Sequence, residues 1–66
     1  MTTEINYDTA YEWLENHYTD VPDIWERFDQ STACEYLADT AEDRNLTSYD
    51  DIPAPDLMRI MEDSRM

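Results

Sequence analysis

Residues 32–45, Thr-Ala-Cys-Glu-Tyr-Leu-Ala-Asp-Thr-Ala-Glu-Asp-Arg-Asn, carry the pattern that decides the fold. Cys34, Leu37, Ala38 and Ala41 recur at spacings of three and four, the period of one helix face. Three of these four are small, so a second helix can approach closely. Glu35, Asp39, Glu42 and Asp43 fall together on an adjacent face. Thr32 and Glu35 stand at capping-box spacing, where each can satisfy a free backbone donor of the first turn. Asn45 is expected to end the helix in a left-handed conformation, since the chain contains no glycine to do so.

Working outward, the same period appears on both sides. Over 8–18, Tyr7, Ala10, Trp13, Leu14, His17 and Tyr18 share one broad face, while Asp8, Glu12 and Glu15 lie opposite. Asp8, or Asn6 before it, can cap this helix. Pro22 disfavours helix at Val21 and stops it. A short helix is expected over 23–29, with Ile24, Trp25 and Phe28 inward and Asp23, Glu26 and Asp29 outward. Residues 46–54 read as a loop with room for one helical turn, Ser48 and Asp51 repeating the capping spacing. A last helix is expected over 56–64, with Leu57, Ile60 and Met61 inward and Arg65 at its negative end. The absence of glycine disfavours tight hairpins. The expected fold is therefore all-α: a single domain over 1–66, a small bundle of three main helices plus one or two short ones.

Size and charge bound the function. A chain of 66 residues buries only about 60% of the surface its unfolded form exposes. Its core is thin, with little room for an internal active site. A hydrophobic content of 41% argues against full disorder despite the charge. Seventeen Asp and Glu face four Arg and no Lys, for a net charge of −13. Such a field repels nucleic acid and anionic lipid and attracts basic surfaces. Direct nucleic-acid binding needs Lys and Arg for the phosphates and is not expected. Met1-Thr2-Thr3-Glu4 has neither a basic region nor an apolar run, so no signal peptide is read there. With no membrane-length apolar segment, the chain is expected to be cytoplasmic.

Chemistry-bearing patterns are absent. Asp50-Asp51 lacks the glycine and spacing of a calcium loop. His17 and Cys34 are lone residues where zinc wants four nitrogen or sulfur ligands. His17 reads as a partly buried surface histidine and Cys34 as a small core residue. No phosphate-cradling loop or nucleophile–base pair is recognisable. No metal, cofactor or enzymatic activity is expected.

The acidic rows carry the functional signal. Carboxylates at i, i+4 and i+7 stand about 5–6 Å apart along a helix axis, against about 3.4 Å per phosphate along one DNA strand. Two or three such rows side by side approach the charge density of a duplex. The expected partner-binding set is Asp8, Glu12 and Glu15; Asp23, Glu26 and Asp29; and Glu35, Asp39, Glu42 and Asp43, with Tyr36 beside the last row. Tyr11 and Tyr49 are further contact candidates, because a ring within an acidic field can stack a partner's arginine.

In size, charge and helicity the whole chain resembles the phage and mobile-element inhibitors that mimic DNA, such as antirestriction proteins and DNA-mimic anti-CRISPR proteins. Its profile looks most like inhibitors of multi-subunit type I surveillance complexes. These share no signature motif, so no residue role is carried over. The resemblance implies a basic nucleic-acid-binding partner, such as a subunit of a Cascade-type complex, blocked where it receives target DNA. Two other classes fit the composition. One is an interaction module, an antitoxin or small assembly subunit, binding through Trp13, Trp25, Met58 and Met61. The other is an ordinary domain of a halophile, whose self-repulsion salt would screen. A homodimer that extends the acidic surface is compatible with each.

Overall fold

A computed structural model describes residues 4–66; the Met1-Thr2-Thr3 part of the N-terminal reading lies outside them. The chain forms helices α1 (Tyr7–His17), α2 (Ile24–Arg27), α3 (Gln30–Asp43) and α4 (Ala54–Asp63), with a 3-10 turn at Tyr49–Asp51. The fold is all-α, with three principal helices and two short ones. Among the described residues the one extended pairing is an isolated antiparallel bridge between Phe28 and Arg65.

The central element is α3, which packs on α1 and on α4. Its Ala33, Cys34, Leu37 and Ala41 are buried against Ala10 and Leu14 of α1 and Ile60 and Met61 of α4. Ile24, Tyr49 and Ile52 complete the core. Alanines at 10, 33 and 41 put only methyl groups between the backbones, so the helices pack closely. Leu14 and Leu37 are fully buried, and truncating either to Ala costs about 2–5 kcal/mol. That is a large part of the roughly 3–10 kcal/mol available to a chain of this length. Burial also pushes the Cys34 thiol above its ordinary pKa, a hydrogen bond with Tyr7 offsetting part of the effect.

Several boundaries differ from the sequence expectations. Of the two caps the sequence offered for α1, Asn6 serves: its side chain accepts from the Thr9 amide at 3.0 Å, and Thr9 Oγ1 accepts from the Asn6 amide at 3.1 Å. The apolar stripe of α1 is narrower than expected, because Tyr7 and His17 are exposed. The cap of α3 is Asp29, not Thr32. Asp29 Oδ1 accepts from the Ser31 amide at 3.1 Å and Oδ2 from Thr32 Oγ1 at 2.9 Å. A carboxylate at that position also meets the positive helix end. Taking Asp29 into α3 leaves Phe28 extended and cuts α2 to four residues. The helical row expected from Asp23, Glu26 and Asp29 is therefore broken.

Asn45 has φ 56°, the one positive φ among the described residues. Its amide donates to Glu42 O and the Leu46 amide to Ala41 O, the bond pair of a Schellman motif. α4 begins at Ala54, two residues before the expected start, because Pro55 is tolerated in a first turn that needs no amide from it. Beyond α4 the chain turns back along α2: Asp29 N donates to Ser64 O at 2.8 Å and Met66 N to Arg27 O at 3.0 Å.

Candidate partner-binding surface

Every one of the eleven residues singled out for the surface is solvent-exposed. The cause is local. The apolar residues of α1 and α3 occupy the inner positions of each turn, and the carboxylates take the remaining ones. Asp8, Glu12 and Glu15 stand along α1, and Glu35, Asp39, Glu42 and Asp43 along α3. Asp23 stands at the N-cap position of α2 and Glu26 within its single turn, while Asp29 is committed to capping α3.

Part of this set converges on a groove between α3 and α4, about 700 Å3 in volume. Tyr36, Asp39, Glu42 and Asp43 form one wall, with Asp56 and Asp63 of α4 opposite. The groove also contains Arg44 and Arg59, so five carboxylates meet two guanidiniums. Arg44 pairs with Asp56 at 2.9 Å. Exposed pairs of this kind contribute about 0–1 kcal/mol, so Arg44 trims the field more than it braces the fold. Tyr36 is 41% exposed, its ring open to solvent at the groove edge.

Glu12 belongs to a different recess, with Trp13 and Asn16 of α1 and Ser48, Tyr49 and Asp50 of the 3-10 segment. Trp13 Nε1 donates to Asp50 Oδ1 at 3.1 Å, bringing that carboxylate beside α1. The indole also stacks on His17, ring centres 4.4 Å apart. Glu35, Asp8 and Glu15 line neither recess.

One sequence expectation changes here. Tyr49 is 2% exposed and serves as core rather than contact. Met61, Trp13 and Trp25 lie inward as their helix faces implied, Met61 buried and the two indoles half-buried against the core. That leaves Met58 as the exposed member of the set named for an apolar partner. Asp56 and Asp63 belong to the acidic groove although the sequence reading passed over them. Their signal was their spacing of seven, which returns to one helix face, on a helix read only for its inner side.

Among the described residues no three His, Cys, Asp or Glu are arranged to hold a metal ion, and no helix is long and apolar enough to cross a membrane. Comparison of the chain with protein-family models, curated proteins and solved structures returned no match.

Proposed function

We propose that the protein is a DNA-mimic inhibitor that occupies the basic surface of a nucleic-acid-binding protein and competes with its nucleic acid. The observation that carries this is charge density on a folded scaffold. The molecule measures 31 × 21 × 18 Å. A duplex as long as its major axis carries about 18 phosphates at one charge per 1.7 Å. The chain carries 17 Asp and Glu, ten of them on α1, α3 and α4. A groove that accepts about one turn of duplex, roughly 34–36 Å, matches this object in length and sign of charge. Arginines of such a groove can take paired carboxylates in bidentate geometry, with Tyr36 offering a face for stacking. The resemblance in size, charge and helicity directs the proposal to type I CRISPR surveillance complexes as the first partner class.

The test is charge reversal. Glu35→Lys, Asp39→Lys and Glu42→Lys are combined, and target-DNA binding by a type I complex is measured with wild-type and variant protein. All three positions are exposed, so the fold should persist, which circular dichroism checks. Inhibition and affinity should both fall at least about tenfold, since exposed interfacial charges set encounter and register. Inhibition at full strength by the folded variant in moderate salt would falsify the proposal.

A further inference from the structure

Away from the acidic groove the molecule leaves an apolar cleft open. Tyr18, Ile24 and Phe28 face Leu57, Met58 and Met61 of α4 across about 320 Å3, with only apolar and aromatic residues lining it. Met58 is 71% exposed. Phe28 and Leu57 are half-buried, each with one side on the core. Its neighbour is a second recess that shares Ile24 and Phe28 as a common wall. There Val21, 47% exposed, sits with Asp20, Asp23 and Arg27. On α4, Glu62 stands one turn beyond Met58 on the same outer face. The cleft is thus an apolar slot flanked by Asp20 and Asp23 of the adjoining recess and by Glu62, with Arg27 in that recess and Arg65 bridged to Phe28 as the cations beside them.

This arrangement selects its occupant. A second copy of the chain would set −13 against −13, bringing more carboxylates than arginines to the rim. An anionic or neutral segment would leave Asp20, Asp23 and Glu62 without partners. A cationic amphipathic segment satisfies both parts at once. We propose that the cleft seats an apolar side chain, of leucine or methionine size, on a lysine- or arginine-bearing segment of the protein's partner. This rests on the reading of the chain as a ligand for basic proteins and adds an anchor that salt does not screen. Covering Met58 and Leu57 with one such side chain strengthens binding by about tenfold or more.

The test uses the full chain with labelled methionine and leucine methyls, followed by NMR during titration with two synthetic helical peptides of equal positive charge. One carries leucines along a single face; the other has each leucine replaced by glutamine. The leucine peptide should shift the Met58, Leu57 and Met61 methyls and bind about tenfold tighter. Met58→Gln should remove that advantage and leave the affinity of the polar peptide unchanged. Met58 is largely exposed, so this substitution leaves the core intact. Equal affinity of the two peptides, or shifts confined to other faces, overturns the proposal. So does concentration-dependent dimerisation that Met58→Gln abolishes, which would assign the cleft to a second copy. The polar peptide separates the two readings. If it binds with no leucine advantage, the cleft fails and the acidic surface stands. If only the leucine peptide binds, and keeps binding at high salt, the acidic surface fails and the cleft stands.

Discussion

Tyr49 ties the segment between α3 and α4 to the start of α1. Its hydroxyl accepts from the Asn6 amide at 3.2 Å, lies 3.0 Å from Asn6 O and sits 2.7 Å from Thr9 Oγ1. These are the groups that cap α1, so one phenol closes a contact between residues more than forty positions apart. The ring also packs tilted against Trp13, centres 6.0 Å apart. Tyr49→Phe keeps the ring and removes the hydroxyl. Because the site is buried, the loss should be about 1–2 kcal/mol, read as a lower urea midpoint at unchanged slope. An unchanged midpoint would mean that water replaces the hydroxyl at no cost. Sequence reading offered Tyr49 as a contact because a ring within an acidic field, here beside Asp50 and Asp51, can stack a partner's arginine. The spacing of Tyr49 and Ile52, both buried, is one helical turn and was the available hint.

Among the elements, α3 organises the others, and its C-terminal end makes a sharp prediction. Asn45 holds a left-handed conformation that costs a residue with a Cβ about 1–2 kcal/mol, asparagine paying less than most. Asn45→Gly should stabilise the protein by up to about 1 kcal/mol, and Asn45→Ala should destabilise it by about as much. Thermal melts of the pair should move in opposite directions from wild type. Movement of both downward would show that the Asn45 side chain, rather than its backbone, supports the turn. This end of α3 was legible from sequence because a chain without glycine leaves few candidates for the position. Its other end was not: Asp29 and Thr32 are both good caps, and only the extended backbone at Phe28 decides between them. The acidic faces of α1 and α3 were legible for a similar reason, since helical periodicity places charge opposite apolar residues. The groove was not, because it depends on α4 coming alongside α3. Periodicity describes a face of one helix and carries no information about which neighbour adjoins it.

For the whole molecule, the question is how −13 is tolerated in so small a fold, and ionic strength probes it directly. At about 0.01 M salt the Debye length is near 30 Å, as long as the molecule's 31 Å axis. Every carboxylate then repels every other. At about 0.1 M the length falls to about 10 Å, and repulsion shrinks to neighbours along and across the helices. Salt should therefore stabilise the fold while weakening its grip on a basic partner. Between about 0.01 and 0.5 M sodium chloride the melting temperature should rise by roughly 5–10 °C, corresponding to about 1–2 kcal/mol of relieved repulsion. Over the same range, affinity for a basic protein should fall steeply. The two slopes have opposite signs, and their combination separates the candidate classes. A halophile's domain would be unfolded at the low end, with its circular dichroism recovered only as salt is added. An interaction module working through apolar contacts would keep or gain affinity across the series, because burial of apolar surface is not screened. A DNA mimic is folded throughout and loses its partner as salt rises. A residual affinity that persists at the high end, and disappears with Met58→Gln, would measure the share contributed by the apolar cleft.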